Sequence, residues 1–259
     1  MSYTGPALDV PRFYADLPPA AAVAGFTVES YGEAAGHPLL LLRRPSLLPN
    51  APTLYLSSGV HGDEPAGPLA LLELLRARFF ADHFNWLIFP LINPGGLARK
   101  TRENPDGLDV NRDYRHGLTP EARLHLAALT REKSAGRGVY AVCLCLHEDW
   151  ESQGFYLYEL NQTPQPLIGH AVLAAVEPIC GIDRSPVIEG MDAHNGLITR
   201  PIADLADRPQ YAEAMWLALQ HTPHNLTLEA PSAQPLATRI AAHVAAVRTA
   251  LAIWEKTLA

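Results

Sequence analysis

The chain has 259 residues, of which 48% are hydrophobic and 18% charged, and its formal net charge is -7. That length allows one large core, and the acidic balance argues against a nucleic-acid footprint. No apolar run reaches the ~18 residues of a membrane span, the start MSYTGPALDVPRF lacks a secretory leader, and three cysteines make no disulfide framework, so a reduced, cytoplasmic protein with no membrane or nucleic-acid partner is expected.

The first 25 residues are rich in Pro and Ala, with turn signals and room for one short helix. The runs FTVES (26–30), PLLLLRR (38–44) and TLYLSS (53–58) are short, apolar and β-prone, and Gly, Pro or Asn punctuate them. Residues 64–80 carry Leu at helical spacing and end in basic residues, as a helix C-terminus prefers. NWLIFPLI (85–92) reads as a buried strand. Residues 119–134 read as a helix capped by Thr119 with Pro120 in its first turn. Strands follow at 138–147 and 155–160, a helix at 166–180, a last strand at 224–230 and a closing helix at 235–259. Alternating strands and helices predict a single α/β domain over residues 1–259, with a mixed, mostly parallel twisted sheet and helices on both faces.

One stretch resists this scheme. Residues 93–120 form a long irregular segment dense in Arg, Asn and Asp directly after a buried strand, and long loops inside compact domains are usually functional or disordered. In open α/β sheets, ligands collect outside the carboxyl ends of the strands. The segment SSGVHGDEPAG (57–67), this loop, His147 and Glu229 all fall at such ends. Asp63 and Glu64 suit the dipole of a starting helix; His61 with Glu64 equally reads as half of a metal site.

His61-x-x-Glu64, then Asn111-Arg112, then His147, then Glu229 occur in that order. The quartet, with NPGG, RENPDGLDVNRDY, CLH and LTLEAP around it, resembles the zinc metallocarboxypeptidases of the funnelin type over residues 50–235, and the short bacterial branch in particular. The resemblance implies zinc, one per chain, held by His61, Glu64 and His147. Two His and one Glu leave a zinc position open for water, which a cation so held makes acidic. It implies Glu229 as general base, where a lone strand-end carboxylate would otherwise be read as structural. It implies Asn111 and Arg112 as the holders of a substrate carboxylate, which the planar guanidinium fork suits; a structural ion pair of Arg112 with Asp109 or Asp113 is the plainer alternative. For the oxyanion, Arg102 matches the family spacing to Asn111, and Arg99 in RKTR competes with it.

The pattern also departs from the family. Glu148 and Asp149 follow His147 where a small residue is usual, and either orient the site or are solvated. A second, co-catalytic metal with Asp63, Asp149 or His194 is left open, as is a Cys143–Cys145–His147 site against the plainer reading of buried apolar thiols. Tyr211 is the nearest match to the family's mobile tyrosine, though close to Glu229.

The resemblance implies a peptide or N-acyl amino-acid substrate. The first reading is a carboxypeptidase-like hydrolase. The second is a deacylase of the related aspartoacylase/succinylglutamate desuccinylase type, which normally carries an added C-terminal β domain and spaces Arg and Asn-Arg more tightly. A third is a binding protein that kept the fold.

Overall fold

Asp9 opens the first helix of the computed structural model, which describes residues 8–256; its side chain accepts from Arg12 N at 3.0 Å. The reading of the first seven residues and the last three positions of the closing helix lie outside the described residues. Helix α1 (Val10–Val23) is longer than expected and runs through Pro18 and Pro19. Prolines disfavour a helix interior, but here Phe13, Leu17, Ala20 and Ala21 are buried, and that burial outweighs the backbone cost.

The chain continues through β1 (Thr27–Ala34), β2 (His37–Arg44), β3 (Thr53–Ser58), α2 (Ala66–Arg76) and β4 (Asn85–Phe89). The irregular segment holds a short helix, α3 (Pro94–Arg99), and a 3₁₀ turn at Val110–Arg112. Then come α4 (Pro120–Ser134), β5 (Val142–Asp149), β6 (Tyr156–Asn161) and α5 (Gly169–Cys180). The stretch for which the sequence predicts a pocket loop at 189–198 but no helix or strand holds β7 (Val187–Ile188), β8 (Met191–Asp192), β9 (Leu197–Thr199), α6 (Ala203–Ala206) and α7 (Glu213–Gln220). β10 (His224–Pro231) and α8 (Leu236–Lys256) close the fold.

Eight strands form one sheet in the order β1-β2-β4-β3-β5-β10-β6-β9. The pairings β3–β4, β3–β5, β5–β10 and β6–β9 are parallel, and the three others antiparallel. The sheet is mixed and mostly parallel, as expected, with antiparallel pairs toward both edges. Side chains alternate across it. Val142, Leu144 and Leu146 of β5 pack into one core with Leu17, Leu71, Val172 and Val247 of α1, α2, α5 and α8. Cys143 and Cys145 face the other core, with Leu129 of α4 and Leu217 of α7.

By length and hydropathy α8 is apolar enough to cross a membrane, a feature that searching for uninterrupted apolar runs misses. Here it lies along the sheet and buries Ala242, Ala246, Val247, Ala250, Leu251 and Trp254.

The central parallel strands β3, β5 and β10 end on the same edge. The loop after β3 meets the irregular segment closely: a Cβ on Gly62 would lie 2.0 Å from the Gly96 carbonyl carbon and 2.3 Å from Thr101 O. Only glycine fits there, and Gly62 N donates to Arg102 O at 3.3 Å. This contact seats His61 and Glu64 beside the loop that carries Arg102, Asn111 and Arg112.

Candidate active site

His61 and Glu64 stand in the loop after β3, and His147 stands near the end of β5. The His61 Nδ1 lies 2.5 Å from Glu64 Oε1, and the His147 Nδ1 lies 3.0 Å from Glu64 Oε2. One ligand atom from each of the three buried residues falls within 4.8 Å of the others. Burial alone would raise the Glu64 carboxyl, but the two imidazoles outweigh it and hold it well below the usual carboxylate range. Burial would lower both imidazoles, and Glu64 reverses this and raises them.

Two imidazole nitrogens and a carboxylate suit a zinc ion. The far nitrogen of His61 supports the fit: Nε2 lies 3.3 Å from Asp109 Oδ1. Metal-ligating histidines typically turn their other nitrogen to such a carboxylate.

Asp109 ties the site together. Its Oδ1 also accepts from Asn111 N at 2.9 Å, and its Oδ2 accepts from Arg102 Nε at 3.1 Å. Burial raises its carboxyl, but His61, Arg102 and Arg112 outweigh that and hold it well below the ordinary value. The Arg102 Nη1 lies 3.9 Å from Glu64 Oε1, so this guanidinium points to the candidate metal ligands. Arg99 instead donates to Pro105 O at 2.8 Å and does not line the cleft. Of the two candidate arginines, Arg102 lines the cleft and Arg99 does not.

Asn111 is buried, and its Oδ1 accepts from Glu213 N, the first residue of α7, at 2.8 Å. Its Nδ2 is therefore the group left for a ligand. Arg112 is exposed and donates to Asn111 O at 2.9 Å. No ion pair within 4.0 Å joins it to Asp109 or Asp113, although its charge favours the Asp109 carboxylate.

Glu229 is in register with His147 on one side and Tyr156 on the other. Burial, with Glu64 and Asp149 adding to it, raises its carboxyl to about 8 against the opposing pull of His147 and Arg102. Together these residues line one cleft of about 660 Å³, within the usual size range for ligand sites.

Several expectations need correction. Tyr211 does not line the cleft. Its hydroxyl donates to Ala206 O at 2.6 Å and the Arg115 guanidinium covers its ring at 5.0 Å. The tyrosines on the cleft are Tyr156 and Tyr158 of β6. His194 is exposed, and among the described residues no second group of three ligating side chains converges with Asp63, Asp149 or His194. Cys143 and Cys145 are free core thiols, pushed well above their ordinary value by burial, so they are not a thiolate site.

Glu148 and Asp149 are not solvated. Asp149 accepts from Tyr156 Oη at 3.0 Å and from Glu151 N at 2.7 Å. Glu148 points to the opposite side of the sheet from His147. It accepts from Ala66 N at 2.6 Å and pairs with buried Arg239 of α8. One carboxylate thus joins the segment after Glu64 to the strand carrying His147. Glu148→Ala removes a carboxylate partner of the buried Arg239, and removing one partner of such a pair costs about 3–5 kcal/mol. Denaturant unfolding should show that loss; a change within about 0.5 kcal/mol would remove the clamp.

The catalytic-domain family of succinylglutamate desuccinylase and aspartoacylase matches residues 50–179, half of the chain, and the chain belongs to that family. The matched residues contain every candidate above except His194, Tyr211 and Glu229. A candidate metallopeptidase from Shewanella amazonensis SB2B is similar over 95% of this chain and 93% of its own, with 26% identity and a TM-score of 0.80. One from Shewanella baltica OS155 has a TM-score of 0.82 at 24% identity over 95% and 92% of the two chains, a likeness of fold. Carboxypeptidase SOL1 of Arabidopsis thaliana is 30% identical in an alignment 93 positions long, which covers 30% of this chain and only 19% of that relative.

Proposed function

We propose that this member of the family is a zinc-dependent, carboxypeptidase-like hydrolase that cleaves an amide bond next to a free carboxylate. One observation carries the reading: a single cleft gathers the His61–Glu64–His147 cluster with Glu229, Arg102, Asn111 and Arg112. Bound at the cluster, zinc supplies a Lewis acid and makes water acidic near neutral pH. Asn111 Nδ2 and the Arg112 guanidinium hold the substrate carboxylate and so fix the scissile bond in the cleft. Arg102 donates to the carbonyl oxygen as it gains negative charge. Glu229 takes a proton from the attacking water and returns it to the departing nitrogen. Asp109 keeps His61, Arg102 and the Asn111 backbone in mutual register. Cys143, Cys145 and Cys180 are free and buried, which supports a reducing compartment such as the cytoplasm.

The family match supports a second reading, hydrolysis of a small N-acyl amino acid. A cleft of about 660 Å³ and the metallopeptidase-like neighbours support the peptide. Both need the carboxylate, so the test varies both ends of the substrate. Amidating the substrate's C-terminus removes its charge-assisted hydrogen bonds, worth about 1.5–3 kcal/mol, or roughly tenfold to 150-fold in kcat/KM. Equal rates on free and amidated peptides would refute the role given to Asn111 and Arg112. Hydrolysis of N-acetyl or N-succinyl amino acids with no action on peptides would select the deacylase.

A further inference from the structure

Behind the proposed carboxylate holders lies a buried polar circuit that none of the proposed chemistry uses. Glu213, the first residue of α7, accepts from the Tyr55 hydroxyl of β3. The Tyr55 oxygen lies 3.1 Å from His125 Nε2 of α4, and the Tyr114 hydroxyl lies 2.7 Å from His125 Nδ1. All four side chains are buried, and none of them lines the cleft. Burial, with His221 adding to it, lowers the His125 imidazole to about 3, so the ring is neutral and carries one proton. The direction of each bond follows. Tyr55 gives its proton to Glu213 and therefore accepts from His125 Nε2, which leaves Nδ1 to accept from Tyr114.

The circuit closes on Asn111. Tyr114 stands three residues after it in the chain, and Glu213 N donates to its Oδ1 at 2.8 Å. The first amides of a helix need acceptors. The N-cap of α7 is Ala212, which offers no side-chain acceptor, so Asn111 caps this helix from another segment. The same contact decides which way the Asn111 amide lies. Turned over, it would set Nδ2 against the Glu213 N–H, donor against donor. Held by Oδ1, the side chain keeps Nδ2 for the cleft that Asn111 lines.

Packing alone does not ask for a carboxylate at the start of α7. Ala214 and Leu217 of the same helix pack into the core with Cys143 and Cys145, and an apolar neighbour would avoid the cost of burying a charge. That cost is visible, since burial raises the Glu213 carboxyl, with Tyr55 foremost among the groups that oppose it. A hydrogen-bonded carboxylate adds direction. It ties the first turn of α7 to β3, whereas an apolar side chain could slide.

We infer that Glu213 is a positioning residue: held by the Tyr55–His125–Tyr114 circuit, it fixes the first turn of α7 so that its own backbone N–H orients the Asn111 amide toward the substrate carboxylate. This rests on the proposed carboxylate-anchored hydrolysis and names what aligns its anchor.

The test measures Glu213→Ala, Glu213→Gln and Tyr55→Phe on a peptide with a free C-terminus and on its amide. The free-to-amide ratio of kcat/KM should fall about threefold or more in Glu213→Ala and in Tyr55→Phe, as one hydrogen bond to a charged group is weakened. It should return toward wild type in Glu213→Gln, whose amide oxygen still accepts from Tyr55. A general loosening of the fold would slow both substrates alike and leave the ratio unmoved. The second reading needs no turnover: the Asn111 side-chain amide signals in a ¹⁵N–¹H spectrum, identified by their loss in Asn111→Asp. They should shift or broaden in Glu213→Ala and Tyr55→Phe and return in Glu213→Gln. Circular dichroism checks each fold, and if Glu213→Ala does not fold, Tyr55→Phe carries both readings. If wild type shows no preference for the free carboxylate, the proposed anchor fails, and the amide signals alone decide the role of Glu213. Unmoved Asn111 signals overturn the inference. So does a free-to-amide ratio that stays fixed while wild type prefers the free carboxylate, or a Glu213→Gln protein that restores neither reading.

Discussion

Glu229→Gln is expected to keep its fold and its metal and to lose about 10²–10⁴-fold in turnover, the usual worth of a positioned general acid–base group. The amide is nearly the same size, so the register of β10 with β5 and β6 is untouched. It cannot accept a proton from water or return one to a departing nitrogen. Glu229 is not among the three ligating residues, so zinc content should match wild type. The raised carboxyl, about 8 with burial as the main cause, describes the cleft without its cation. A divalent ion nearby lowers a carboxyl by direct attraction, which restores the ionised, proton-accepting form near neutral pH. Metal analysis beside steady-state rates reads both halves. A loss under tenfold means that another group is the base, and Asp149, which also lines the cleft, is then the next to remove.

What could be read from the sequence divides along a physical line. His61 and Glu64 share one short loop, and Asn111 and Arg112 are neighbours. Local spacing therefore already carries their geometry. Asp109 was legible in principle: its side chain accepts from the backbone two residues on, a common use of Asp in turns. The missed wall comes from Tyr156, Tyr158 and Arg200, which are brought together only by the pairing of β10, β6 and β9. Strands of two or three residues are too short to show a period. Glu148 is a subtler case. Alternation along β5 puts it opposite to His147, but only the packing of α8 shows that this face is covered and already holds Arg239. Tyr211 fails for a related reason, since contacts with Ala206 and Arg115 decide where its ring goes.

His147→Ala is expected to drop zinc from about one per chain to near none and to take turnover to background. Three protein ligands are the norm for a catalytic zinc site, and His61 with Glu64 alone is one short. The surroundings offer no substitute. Cys145 faces the same side two residues earlier, but burial keeps its thiol protonated. Glu148 faces the other way and is committed to Ala66 N and Arg239. Asp109 already serves His61, Arg102 and Asn111. Glu64 would keep one imidazole partner and lose the other, so any residual cation would be held weakly and removed by dialysis against a chelator. Because a cation that binds only the folded chain stabilises it by mass action, zinc should raise the unfolding temperature of wild type and leave that of His147→Ala nearly unmoved. Equal zinc in the two proteins after dialysis would sink the ligand assignment. Two zinc ions per wild-type chain would require a second set of donors, and the described residues offer one converging group.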